Sequence, residues 1–215
     1  MAAPAAGVAR SRRAKNHNWY FRALERQKEM AEAEVLPPFP TEPLHGRERA
    51  RAFMVFAAGD GQQQWRVEYE LADDLLPVTV ENFLKLCEAP KGEGFLGCKV
   101  HRVRRNMGIE FGDYISGDGT GGKALVGEDG TFADESMVGR HTVPGTLSMC
   151  NHGKDTNNSV VFVSNAPMPH LDGRHVLFGR VTEGLDAISD MAKVFSVRLR
   201  PVDTIEVIEC GQVRA

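Results

Sequence analysis

The sequence predicts a mainly β fold in which an antiparallel sheet closes on itself as a barrel. Three observations lead there. From Phe53 onward, short apolar runs recur between Gly, Pro, Asn and Asp residues, the punctuation of strands and turns. Trp65, Val67, Tyr69 and Leu71 alternate with polar residues, the period of a half-buried strand. Only two stretches in this region carry helical spacing. Many short strands with few helices would leave exposed sheet edges, and closure removes them.

The elements follow in order. Phe53-Met54-Val55-Phe56 predicts a strand, Gly59-Asp60-Gly61 a hairpin turn, and residues 65–71 its partner. Pro77 opens a short helix with Val80, Phe83, Leu84 and Cys87 on one face, since Pro fits the first helical turn. Two apolar runs, VVFV at 160–163 and VLFG at 176–179, predict further strands. Before the first lies NHGKDTNNS at 151–159, a loop of turn formers and a natural carrier of binding groups. A second helix is predicted over about 183–194 from Leu185, Ile188, Met191 and Ala192. Thr204–Ile208 predicts a last strand.

Residues 1–51 read differently. They hold 10 Lys+Arg and 6 Asp+Glu, a net of +4, whereas residues 52–215 hold 16 and 23, a net of −7; together these give the chain's −3. Residues 1–17 are a basic tail with no acid before Glu25. Residues 18–35 predict a helix capped by Asn18, with so thin an apolar stripe (Tyr20, Leu24, Ala31) that it must lie on another surface. Residues 36–44, LPPFPTEPL, must be extended, as a linker or as a segment laid along another protein. The predicted division is an N-terminal extension, 1–51, and a folded domain, 52–215. The extension is expected to engage a larger protein assembly. Arg10, Arg12, Arg13 and Lys15 would attract nucleic acid only generically, without interleaved aromatics or an RNA-binding motif.

Several classes are set aside. No apolar run approaches the roughly 18 residues of a membrane span, so no membrane partner is expected. Cys87, Cys98, Cys150 and Cys210 are scattered without a CxxC pair, which points to reduced thiols in an intracellular protein. The expected compartment is the cytoplasm, with mitochondrial import as the alternative that the Arg-rich, acid-free start suggests. The histidines show no paired metal spacing, and neither metal nor cofactor is expected. GDGTGGKA at 117–124 mimics a phosphate loop, but Ala124 stands where a hydroxyl must meet magnesium. No nucleophile-elbow motif supports a Ser-His-Asp enzyme.

The most informative stretch is 141–181. It contains His141-Thr142-Val143-Pro144-Gly145, Leu147-Ser148-Met149-Cys150-Asn151, Asn157-Asn158-Ser159-Val160-Val161-Phe162 and Leu171-Asp172-Gly173-Arg174-His175-Val176-Leu177-Phe178-Gly179. It closely resembles the cyclophilin family of peptidyl-prolyl cis-trans isomerases. Pro77-x-Thr79-x-Glu81-Asn82-Phe83, His101-Arg102, Gly112-Asp113, Gly119-Thr120-Gly121-Gly122 and Cys210-Gly211-Gln212 extend the likeness over about Phe53 to Gln212. The resemblance implies an eight-stranded antiparallel barrel capped by two α-helices, an activity on X-Pro bonds in proteins, and no cofactor.

Residue by residue, it places Arg102 at the family's essential arginine. By itself an arginine beside a strand is most often a surface residue. Rotating an X-Pro bond, however, breaks amide resonance against a barrier of about 20 kcal/mol, and needs no nucleophile. It needs a donor aimed at the twisting amide and an apolar slot for the ring. The resemblance places Met107, Phe162, Leu171 and His175 along that slot, although apolar residues are usually core. It places Asn151 where the backbone meets the substrate, and Gly119, His152 and Thr156 at a side pocket.

The departures are pointed. Glu110 stands for a usual glutamine beside the arginine, and is expected to ion-pair with Arg102 and compete with substrate. Val160 replaces a second glutamine, and Met107 a phenylalanine. Gly108 replaces a methionine and is expected to remove pocket wall. His170 stands at a position often tryptophan, and Arg104 and Arg105 replace an apolar residue and a proline. Two functions follow: a cyclophilin-type isomerase of reduced activity, or a non-catalytic cyclophilin-like subunit of a protein or ribonucleoprotein assembly, anchored by residues 1–51.

Overall fold

The computed structural model describes residues 46–59, 61–127, 129–137 and 139–213. The predicted basic tail, helix 18–35 and linker 36–44 lie outside the described residues. The strands are β1 Arg51–Ala58, β2 Gln64–Leu71, β3 Arg102–Arg104, β4 Gly108–Phe111, β5 Thr146–Met149, β6 Val161–Ser164, β7 Leu177–Glu183, β8 Ser196–Val197, β9 Arg200–Pro201 and β10 Ile205–Gln212. The helices are α1 Pro77–Glu88 and α2 Leu185–Met191. Eight strands form one antiparallel sheet in the order β10-β1-β2-β7-β5-β6-β4-β3, and β8 and β9 form a separate hairpin.

The sheet curls until its ends meet. Closure does not run through a full β3–β10 ladder. The chain just before β3 does it instead: Lys99 bridges Glu206, the Gly97 and Val100 amides donate to the carbonyls of Val207 and Ile205, and the Val207 amide donates to that of Cys98. The inner face holds the core. Phe83 of α1 meets Tyr69, Phe95 and Phe178 at ring-centroid distances of 6.1, 5.1 and 5.4 Å, and Phe111 contacts Phe56 and Phe95 edge-on. Aromatic clusters of this kind add packing energy beyond the area they bury.

The start of α1 is supported from afar. Leu76 supplies no capping side chain. The Glu135 carboxylate accepts from the Val78 and Thr79 amides at 3.0 and 2.9 Å and from the Thr79 hydroxyl at 2.8 Å. It thus meets amides that the helix leaves unpaired and the positive end of its dipole. Asn82, buried on the same helix, donates to the Asn158 carbonyl and accepts from the Leu125 amide, tying α1 to the 151–159 loop.

Three expectations are corrected. The second helix is seven residues, Leu185–Met191, because β7 continues to Glu183. Gly184 separates them at φ 85, where a Cβ would sit 2.3 Å from the Arg66 carbonyl oxygen. The last strand is longer than predicted and reaches Gln212. The folded region also starts before residue 52. β1 begins at Arg51, and Arg49 is buried, its guanidinium donating to Asp74 at 2.8 and 3.1 Å and to Glu70 at 3.3 Å.

Replacing Arg49 removes a buried guanidinium from Asp74 and Glu70, of which Glu70 keeps Arg180 at 3.1 Å. Arg49→Ala is expected to cost about 3 kcal/mol, since breaking a buried pair from one side leaves the other charge uncompensated. Urea unfolding of the two proteins checks it; an unshifted midpoint would show that the domain does not need this anchor.

Candidate functional site

Strand alternation sorts the residues of four adjacent strands onto two faces. Val103, Ile109, Val163 and Leu147 lie in register across β3, β4, β6 and β5, and all are buried in the core. One step along, Arg102, Glu110, Phe162 and Ser148 form the neighbouring row. Successive side chains point to opposite faces, so this second row faces outward. It floors a cavity of about 400 Å³.

At one end of that floor, Glu110 is clamped by two guanidiniums. Arg102 donates through Nη1 to Oε2 at 3.1 Å, and Arg104 Nη2 lies 3.3 Å from Oε1. Arg102 keeps its side chain 45% exposed, while that of Glu110 is 13% exposed. The ion pair expected from the glutamine-to-glutamate departure is therefore present, with a second partner. Arg104 belongs to the same face because it lies two residues beyond Arg102, and that period alone could have flagged it. His101 also lines the cavity, its Nε2 3.9 Å from Glu110 Oε2. Burial lowers its pKa despite the pull of Glu110 and Asp113, which favours neutral imidazole.

The apolar end comprises Met107, Val160, Phe162, Leu171 and His175. Leu171 comes from a 3₁₀ turn, Pro169–Leu171, whose last carbonyl accepts from the amides of Arg174 and His175. His175 Nδ1 lies 3.0 Å from the Met149 carbonyl; a carbonyl only accepts, so Nδ1 carries the proton. The turn is pinned by a buried chain. Asp172 accepts from the amide and Nδ1 of His141, both at 2.8 Å, and His141 Nε2 meets Ser148 Oγ at 2.7 Å. A linear Ser-His-Asp arrangement therefore exists. His141 and Ser148 are fully buried and each hydrogen bond runs between chain segments, so the arrangement braces the cavity wall.

The 151–159 loop closes another side. Asn151 and His152 line the cavity. The Asn151 amide nitrogen donates to the Arg174 carbonyl at 2.9 Å, joining this loop to the Leu171 turn. Gly119 also lines the cavity, and at φ 92 a Cβ there would come within 2.8 Å of the His101 ring. Its loop is wrapped around Asp113. Burial opposes the charged form of Asp113, but amides of Ser116, Gly121, Gly119 and Asp118 donate to the carboxylate and hold its pKa at about 2.

Thr156 shapes its loop from within: its hydroxyl accepts from the His152 amide and donates to the Gly153 carbonyl. One placement differs from expectation. Gly108 does not line the cavity. It is buried in β4 at φ 139, where a Cβ would lie 1.9 Å from the Val163 carbonyl oxygen. The strand spacing, rather than a missing pocket wall, accounts for the glycine. The other predicted residues, Arg102, Met107, Glu110, Gly119, Asn151, His152, Phe162, Leu171 and His175, converge on the one cavity. Among the described residues no cluster of His, Cys, Asp or Glu is placed to hold a metal ion.

The family profile described as cyclophilin type peptidyl-prolyl cis-trans isomerase/CLD matches residues 54–212. The chain belongs to the cyclophilins. The eight-stranded sheet and two helices are thereby explained, and the chain carries a peptidyl-prolyl isomerase domain whose family acts on proline-containing segments. In this cyclophilin the outward row of β3, β4 and β6 combines an arginine, a carboxylate and a phenylalanine within one cavity.

A depressed carboxylate pKa has a definite sign. The folded state holds Asp113 ionised down to about 2, below the ordinary value of about 3.9, so its stabilisation is present above pH 4 and disappears as pH falls toward 2. Asp113→Asn is expected to cost about 2 kcal/mol at neutral pH and to flatten the acid limb of the stability profile. Denaturant titrations between pH 2 and 7 read both; parallel acid limbs would rule out this carboxylate as the cause.

Proposed function

We propose that this cavity is the isomerisation groove and that the domain is a peptidyl-prolyl isomerase whose rate is held down by Glu110. The observation that carries this is the 3.1 Å contact between Arg102 and Glu110 at the open end of an apolar slot. Met107, Phe162, Leu171 and His175 hold the prolyl ring. Asn151 offers its backbone to the bound chain, and Gly119, His152 and the loop shaped by Thr156 bound the side pocket. Arg102 then presents its guanidinium to the imide as it twists out of plane. As conjugation is lost, the lone pair on the prolyl nitrogen becomes a better acceptor, so a positioned donor favours the twisted state over either planar one.

Glu110 opposes this step. Its carboxylate draws Arg102 toward the sheet, and Arg104 fixes the carboxylate in turn. A partly exposed ion pair is worth up to about 1 kcal/mol, so the brake amounts to about fivefold in rate.

A second reading is a cyclophilin-like subunit that catalyses nothing. The same Glu110 clamp favours it, together with the +4 extension beside a −7 domain. In it, residues 1–51 anchor the chain to an assembly and the groove only grips a proline segment.

Exchange NMR on a short Ala-Pro peptide separates the two. Arg102→Ala is expected to lower kcat/KM by about a hundredfold, the scale of one preorganised donor. Equal background rates in the unmodified protein and this variant would establish the non-catalytic reading. Glu110→Gln is expected to raise kcat/KM about fivefold. An unchanged value would mean that Glu110 does not restrain Arg102.

A further inference from the structure

We propose that the groove continues past Arg104 into a second subsite, which takes an apolar residue with an acidic neighbour from the segment flanking the proline. This rests on the reading of the first cavity as the proline site. Arg104 lines both that cavity and an open cavity of about 380 Å³ on its far side. The second cavity presents Val194, Phe195 and Leu199 over the buried Val103, together with Arg104, Arg105 and Lys193; Arg104 pairs with Glu110 and Lys193 with Asp190, which leaves Arg105 as the cation without an acidic partner among the described residues. The domain around it carries a net charge of −7, so an exposed cation that no carboxylate answers stands against the trend.

The apolar side is unusually open. Phe195 is 76% exposed, and Leu199, which lines the same cavity, is exposed too. Isolated exposed apolar residues are ordinary, but two that share a cavity edged by a cation mark a binding surface. The β8–β9 hairpin is tied to β3. Val197 pairs with Arg200 across a turn in which Arg198 and Leu199 take φ values of 51 and 68. Such turns normally use Asn-Gly, so two bulky residues in the left-handed region are strained there. What holds them is β3: the Val103 amide donates to the Leu199 carbonyl at 2.8 Å. The strand that carries Arg102 and Arg104 therefore also positions the hairpin.

The cations set the chemistry of the occupant. Within Arg104, one nitrogen already serves Glu110 and another meets Met107 sulfur. The exposed Arg105 side chain has no acidic partner among the described residues. A substrate carboxylate would meet it, while a leucine-sized side chain covers Phe195 and Leu199. Lysine at the same place would be repelled by Arg105.

The test uses the full-length protein and three peptide types: an Ala-Ala-Pro-Ala core, the core extended by Leu-Glu-Leu-Glu, and the core extended by Leu-Lys-Leu-Lys, each extension placed at either end. Affinities come from amide chemical-shift titrations. One of the two Leu-Glu extensions is expected to bind about tenfold tighter than the core, with shifts at 195–199, and the Leu-Lys forms to gain nothing. Phe195→Ser and Arg105→Glu are each expected to bring the extended-to-core ratio close to one. A ratio near one in the unmodified protein, or an advantage that survives both variants, overturns the subsite. Extended peptide bound at 195–199 without cis-trans exchange overturns the isomerase reading and leaves the subsite standing. Turnover of the core with no benefit from extension does the reverse. No binding by any peptide overturns both.

Discussion

The pairing of β4 between β3 and β6 determines which residues this protein can use. Ile109 faces Val103 and Val163, and Glu110 faces Arg102 and Phe162. A slip of one residue would turn the Glu110 carboxylate into the aromatic core and bring Ile109 to the surface, so core burial holds the register firmly. The same constraint that packs the barrel therefore sets the arginine and carboxylate beside each other. Gly108 shows how tightly the ladder is drawn, since the Val163 carbonyl occupies the space of any side chain there.

Around that register the protein spends its polar groups on bracing. Asp172, His141 and Ser148 link the Leu171 turn to β5, and Asn151 links the neighbouring loop to Arg174. Asp113 gathers the amides of the loop that carries Gly119. Each brace is internally satisfied, as buried polar groups must be. The Glu110 cluster differs in that Arg102 keeps its side chain 45% exposed while the carboxylate it meets is largely buried.

How much of this was legible in the sequence depended on element length and register. β1, β2, α1 and the last strand carry enough residues for their period to show, and α1 also begins with a proline. β3, β4 and β5 span three or four residues, and β5 is buried throughout, so no alternation betrays it. Arg102 and Glu110 were readable as a pair because one is the other's neighbour in the family pattern. Arg104 stands out in the sequence only as a departure from the family pattern, because its role as the second clamp follows from its place on the strand. The β8–β9 hairpin was invisible because Arg198 and Leu199 lack the turn chemistry that marks such a bend.

The remote cap on α1 links distant parts of the chain during folding. Glu135 lies 57 residues beyond the amide of Val78 that it receives. Until that long excursion has docked, the helix lacks its negative end-group and is marginal at its first turn. Loop and helix therefore consolidate together, with a large loss of chain freedom incurred before the contact is made. Because Asn82 on that helix also holds Asn158 and Leu125, ordering of the 151–159 loop is coupled to the docking of the same helix.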